Sequence, residues 1–358
     1  MAVTAFLPHL PEISTKFPHV AIIGVGDEGN DIVSRVFENG ASGAQCIAVN
    51  INEDPLVRVY CHEKIVIESQ ATDDSEPSRW GEPEGKIIRA CAESIGPSLA
   101  GADVAFIIVE SGEARTRAVA SATAEVARRS DALAVGVAIM PPFFERERRL
   151  AACHELASMR RSCHTLAIVD PSRAIALPAY LPNLCDDPSE RLVVDMVAGL
   201  SETLACPSIL NIDFAAFRGL ITHGGIAHIG IARSSSALRV EEATAGALRG
   251  PLLYDNIAQS QGALVNVRGD VTLTNEEAER AAELVAERAG SPMPVVVGAH
   301  ADDSWYDGCQ VSVWLTGGRY PYIPGGYRRL PLDMYEMEPD EEEGPIDLDL
   351  DLDQLEEA

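Results

Sequence analysis

Short apolar runs alternate with longer amphipathic ones along most of this chain. Those at 20–24, 44–50, 102–109, 132–140 and 164–169 are nearly continuous in aliphatic residues, the mark of strands buried on both faces. Between them, 31–39, 86–98, 118–129 and 145–161 place apolar residues at helical spacing, and Gly40 ends the first of these helices. A longer helix is predicted over 189–204, with Leu192, Val193, Met196, Val197, Leu200 and Leu204 on one stripe. Beyond it the pattern predicts strands at 226–232, 264–267, 294–297 and 311–315, with helices at 240–248 and 275–289. Such alternation implies an α/β fold: a parallel-sheet domain joined by a central helix to a smaller α/β domain. The expected boundaries are an arm at 1–18, a first domain at 19–188, the helix at 189–206, a second domain at 207–320 and a tail at 321–358. No internal repeat is visible.

A length of 358 residues exceeds what one core usually fills, which agrees with two domains. Asp and Glu number 55 against 28 Lys and Arg, a net charge of −27, so a general nucleic-acid surface is excluded. Only Lys16, Lys64 and Lys86 are lysines. An acidic, lysine-poor surface suits a halophilic protein in high intracellular salt; a composition bias plus an acidic tail would give the same count. The tail is concentrated charge, with 13 acidic residues and no basic one over 333–358. From Ile346 to Asp353 it alternates strictly between apolar and acidic, so an extended segment would present one aliphatic face to a partner. The other reading is a solvated acidic tail. No run is long enough to span a membrane, and the N-terminus lacks a signal-peptide pattern, so a cytoplasmic protein without direct membrane insertion is expected. Eight cysteines without a CxxC pair read as reduced thiols. No metal site is expected; His223 and His228 suit a turn entering a strand.

The strand at 20–24 runs into Gly24, Gly26, Gly29 and Asn30, which satisfy GxGxxG before a helix. Glycines let the backbone approach a phosphate, and a helix N-terminus supplies N–H donors and a positive dipole end. A tight strand-to-helix turn needs the same glycines.

The order of segments over about 20–318 resembles the FtsZ family of the tubulin superfamily. The 20–30 stretch is similar to that family's first phosphate loop, and 47–50, ending in Asn50, to its second strand. The 81–84 stretch, Gly-Glu-Pro-Glu, is similar to the Gly-Asn/Asp-Pro-Glu loop. The 101–107 stretch is close to the strand before the signature loop. Asn211, Asp213, Ala216 and Arg218 lie in what looks like the loop after the central helix, and 291–316 is similar to the last strands. The resemblance implies a GTPase-like domain, GTP or GDP as ligand, and head-to-tail filaments. In these the Asn-x-Asp loop of one subunit completes the hydrolytic site of the next.

The chain departs from the family where phosphate would be gripped. Where the family has a loop of glycine and threonine, this chain has Gly112, Glu113, Ala114, Arg115, Thr116 and Arg117; only Gly112 matches, with Thr116 one place away. Asp27 and Glu28 replace glycines, and Arg79 and Trp80 replace small residues. Either Arg115 and Arg117 pair with Asp27, Glu28 and Glu113 where phosphates would sit, or these side chains face solvent, or the arginines hold a phosphate. In the hydrolytic loop Asn211 and Asp213 match the family, while Ala216 replaces the second acid. Asn211 could alternatively cap the next helix. Glu190 falls where the family places an Asp toward guanine, or is a first-turn acid on the helix dipole.

The expectation is therefore an FtsZ-like cytoskeletal protein of cell division or cell shape, with weak or lost GTP binding and hydrolysis, using GTP/GDP or no ligand. Its partners would be itself or an FtsZ-family paralogue, and a membrane-adaptor protein docking on 346–355, at the division site. The alternatives are an active FtsZ-type GTPase and, from another class, a dinucleotide-dependent oxidoreductase. The latter would want an acid at the end of the second strand, where Asn50 stands, with Asp54 nearby.

Overall fold

The computed structural model describes residues 17–40, 43–67, 83–142, 144–174, 188–250, 252–253, 257–290, 292–302, 305 and 308–318. Strands β1 (Val20–Val25), β2 (Ala44–Asn50), β3 (Glu63–Val66), β4 (Val104–Glu110), β5 (Leu133–Ile139) and β6 (Thr165–Val169) form a parallel array in the order β3-β2-β1-β4-β5-β6. Aliphatic side chains cover both faces, which is why these strands read as unbroken apolar runs. Helices α1 (Gly26–Glu38), α2 (Glu53–Leu56), α3 (Pro83–Ser94), α4 (Gly96–Leu99), α5 (Ala114–Arg129), α6 (Arg146–Ser162) and α7 (Pro171–Ala174) connect and flank them. The central helix α8 (Pro188–Ala205) is followed by α9 (Phe214–Thr222). The second half contains β7 (Gly225–Ser234), α10 (Arg239–Ala247), β8 (Gly262–Gly269), α11 (Asn275–Ala289), β9 (Val295–Ala301) and β10 (Cys309–Gly318).

The strands of both halves form one sheet. β7 pairs in parallel with β6 through Thr165–Gly225, Leu166–Ile226 and Ala167–Ala227, and the order continues β7-β10-β8-β9. β10 is antiparallel to both neighbours. The apolar stripe of α8 (Leu192, Val193, Met196, Val197, Leu200, Leu204) shares a core with Ile22 and Phe106 of the first half and Ile229, Leu264 and Trp314 of the second. Each such side chain contributes about 1.5–3 kcal/mol on burial, so one helix ties both halves together. Cores on the opposite faces lie under α3, α5 and α6, and under α10 and α11.

Most element positions agree with the sequence pattern. Helix α1, however, starts at Gly26 rather than residue 31, because Asp27 and Glu28 occupy its first turn, where the dipole favours acids. The helix expected over 86–98 breaks after Ser94, with Pro97 in the first turn of α4. β3 escaped notice because Glu63 and Lys64 on an edge strand mask its apolar face. His223 ends α9 and His228 is buried within β7, as the turn-into-strand reading requires. Among the described residues no cluster could hold a metal, and no helix is long and apolar enough to cross a membrane. Cys46, Cys91, Cys163 and Cys309 are buried free thiols; Cys185, Arg79, Trp80 and the tail motif lie outside the described residues.

Candidate functional site

In an open parallel sheet, ligands bind beyond the carboxyl ends of the strands where the order reverses, here between β1 and β4. Gly26 opens α1 at that point with φ 78°, and a Cβ on it would meet the Thr116 methyl at 2.5 Å. A Cβ on Gly24 would come 2.3 Å from the Gly29 carbonyl oxygen. These glycines thus have a structural reason to be glycine: strand and helix touch backbone to backbone, and only hydrogen fits. The N-termini of α1 and α5 converge, and Gly112 precedes α5.

The expected ligand contacts are largely taken up within the chain. Asn30 is buried and clamps β2, donating to Val49 O at 3.0 Å and accepting from Val49 N at 3.1 Å. Asn50 donates to Asp27 Oδ1 at 2.7 Å and accepts from the Ile51 and Asn52 amides. Thr116 donates to Glu113 Oε2 at 3.2 Å. Glu190, expected to face a base, pairs with Arg35 Nε at 2.6 Å. A cavity of about 400 Å³ lies beside these groups, lined by Glu28, Asp31, Arg35, Glu110, Tyr60 and Glu190 among others.

One ion-pair cluster was not anticipated. Glu110, at the end of β4, lies beside Glu28 at the same cavity. Arg148 of α6 reaches Glu110 at 2.9 Å and Glu145 at 2.6 Å. Burial, then the neighbouring Glu28 charge, push the Glu110 carboxyl up to about 7, against the pull of Arg148. The guanidinium entering this acidic group therefore comes from α6. Among the described residues no ion pair joins Arg117 to Asp27, Glu28 or Glu113, so the first of the three readings of this loop finds no support at Arg117. Two signals pointed to the cluster: an acid closing an otherwise apolar strand, and the i,i+3 spacing of Glu145 and Arg148 at a helix start.

Asn211, Asp213 and Ala216 sit elsewhere. Asp213 caps α9, accepting from Ala215 N at 2.9 Å and Ala216 N at 3.4 Å. Asn211 accepts from Ser208 N at 3.0 Å, so the cap lies two residues later than the alternative reading put it. All three residues are exposed. Between this loop and Glu190 runs α8, whose 18 residues span about 27 Å. Gly43, just before β2, packs on Ala205 and Cys206, which places this loop at the N-terminal edge of the sheet, opposite the phosphate-side loops. One chain cannot bring the two loops together; a second subunit stacked end to end could.

A second cavity of about 890 Å³ lies beside α8 and is lined in part by residues of the second half. Arg233 pairs with Asp195 at 2.8 Å and Arg268 with Glu202 at 2.7 Å across it, and Trp305 lies 4.8 Å from the Arg233 guanidinium and 5.5 Å from that of Arg268.

Residues 225–319 match the family model described as FtsZ family, C-terminal domain. The chain is similar to cell division protein FtsZ 2 of Methanocaldococcus jannaschii, 30% identical over 311 residues, covering 86% of this chain and 82% of the relative. It is also similar to the structure of an empty FtsZ dimer from M. jannaschii, with 26% identity, TM-score 0.74, and coverage of 85% and 89% of the two chains. CetZ2 of Haloferax volcanii, solved as a GTPγS-bound protofilament, shares the fold at 17% identity and TM-score 0.64, covering 83% of this chain and 92% of that one.

Proposed function

The chain belongs to the FtsZ family of the tubulin superfamily, and on that premise we propose that it is a cytoskeletal subunit of cell division or cell shape with weak or lost GTP binding and hydrolysis. It assembles head to tail, with itself or with an active relative whose filaments it regulates or scaffolds. The observation that carries this reading is the ion pair of Glu110 with Arg148, with Glu28 beside Glu110. Acidic side chains occupy the strand-end crevice, where a triphosphate would meet repulsion, and their counter-ion is already supplied by α6. Ala216 supplies no polar group to position water at the opposite loop, so Asn211 and Asp213 form a degenerate hydrolytic set.

Gly24, Gly26, Gly29, Asn30, Asn50, Gly112, Thr116 and Glu190 would frame whatever GTP or GDP binding remains. The working units are 19–188 as the GTPase-like domain, 189–206 as the central helix and 207–320 as the second domain. The 346–355 motif would dock on a membrane adaptor at a cytoplasmic division site. The oxidoreductase reading loses support because β2 ends in Asn50, while Asp54 lies in α2.

Phosphate release from GTP and pelleting of the purified chain, alone and with an active FtsZ, test the proposal. Little or no turnover, with recovery in the pellet of the relative's filaments, is the expected outcome. Brisk turnover by the isolated chain would return it to the ordinary polymerising GTPases.

A further inference from the structure

The N-terminal edge of the sheet carries a concentration of arginines unusual for a chain of net charge −27. Arg128 and Arg129 end α5, and Arg160 and Arg161 end α6. Arg128 donates to the Arg161 carbonyl oxygen at 3.0 Å, which draws the two helix ends together. Arg218 of α9 joins them around His164, whose basicity is lowered by burial and then by Arg128 and Arg218. Counter-charge is sparse. Arg129 has Glu125 at 3.2 Å, and Arg218 has Asp131 at 4.0 Å, but Asp131 is 98% exposed and holds nothing firmly. Among the described residues Arg160 and Arg161 have no acidic partner. The C-terminal dipole ends of α5 and α6 explain arginines at these positions, yet each offsets only about half a charge. A net positive patch remains.

The chain leaves the second half beside this patch. β10 runs toward the same edge, and Gly317 N donates to Gly224 O at 2.7 Å. The next residue, Gly225, lies against Arg160: a Cβ there would come 3.2 Å from the guanidinium. From Gly318, residues 319–332 reach at most about 50 Å before the acidic segment begins. That segment, 333–358, carries 13 acidic residues and no basic one.

We propose that the acidic segment 333–358 docks on the arginine patch formed by Arg128, Arg160, Arg161 and Arg218 of its own chain. Carboxylates meet guanidiniums in charge-assisted pairs, and the tether holds the segment at millimolar effective concentration. The docked segment covers the edge that carries Asn211 and Asp213. Its consequence, competition with head-to-tail contact there, rests on the filament reading; the docking itself rests on charge, exit point and reach.

Hydrogen exchange on dilute, unassembled full-length protein tests the docking without reference to filaments. Three variants serve: R160E/R161E; a tail variant with Asp347, Asp349, Asp351 and Asp353 changed to Asn and Glu341, Glu342 and Glu343 to Gln; and R160E/R161E carrying lysines at 347, 349 and 351. A site of about 0.1 mM affinity facing a millimolar tail slows exchange of amides at 160–164 and 214–222 by about tenfold relative to the tail variant. The slowing is expected to vanish in about 1 M KCl, to be lost in R160E/R161E, and to return in the charge-swapped chain. These substitutions lie in the last turn of α6, where Arg161 is exposed and Arg160 half-buried, and in the tail, and unchanged circular dichroism confirms folding. Equal exchange in all four proteins, protection that survives R160E/R161E, or protection that grows with protein concentration would each overturn docking within one chain.

Discussion

Arg148 Nη2 lies 2.9 Å from Glu110 Oε2, joining the start of α6 to the carboxyl end of β4. Its other nitrogen, Nη1, meets Glu145 at 2.6 Å. Glu28 lies beside Glu110 and its charge raises the Glu110 carboxyl, so two acids meet in the strand-end crevice and the guanidinium holds one of them. This pairing makes the crevice self-contained, and it makes the fold sensitive to protons.

Glu110 sits at about 7 in the folded chain against 4.5 for a free glutamate. A raised acid stabilises the fold fully below about 4.5, and that contribution is lost as pH rises through 7. The change is bounded at about 3 kcal/mol. Thermal midpoints are expected to fall between pH 5 and pH 8, and Glu110→Gln to flatten the slope. An equally steep slope in the variant would place the titrating group elsewhere.

On the proposed reading of the site, Asp27, Glu28 and Glu113 stand where a triphosphate would add negative charge. A like charge within several ångströms, at an effective dielectric of about 20, opposes binding by about 2 kcal/mol. The triple change to Asn, Gln and Gln should therefore tighten GDP binding by tenfold or more at low salt, as read by calorimetric titration. Unchanged affinity would mean that these acids do not face the phosphates.

Asp213 accepts two amides of the first turn of α9. Asp213→Ala is expected to cost about 1 kcal/mol, lowering the thermal midpoint by about 2–4 °C, while Asp213→Ser keeps most of the cap. An equal loss in Ser and Ala would show that capping is not what Asp213 contributes to stability.

The strands of the first half were legible because burial on both faces writes an unbroken apolar run, and α8 because its stripe keeps helical spacing over four turns. α11 was legible to its ends, with Thr274 and Glu277 forming a capping box and Gly290 in the left-handed conformation after it. The joining of β6 to β7 was not legible, since three backbone pairs between distant segments leave no periodic trace. Arg148 escaped the sequence reading for a related reason. Charges near the glycine loop were matched to Arg115 and Arg117 by proximity in sequence, whereas the sheet brings in α6 from 38 residues beyond Glu110. The glycines themselves were ambiguous, because close backbone packing and phosphate approach demand the same residue.

Glu202 and Arg268 tie α8 to β8 at 2.7 Å, with side chains only 9% and 11% exposed. The Glu202 carboxyl is raised, by burial first and also by the Asp302 and Asp195 charges, against the pull of Arg268; a buried pair of this kind recovers little of the cost of its desolvation. Glu202→Ala leaves a guanidinium buried under Trp305 without its acid and is expected to cost about 3 kcal/mol in chemical denaturation. The double change Glu202→Leu, Arg268→Leu removes both charges and should restore stability to near that of the parent. The coupling between the sites would then exceed 1 kcal/mol in a double-mutant cycle. A double variant that stays as unstable as Glu202→Ala would show that the pair contributes net stability, and that the two halves are held across this cavity by charge rather than in spite of it.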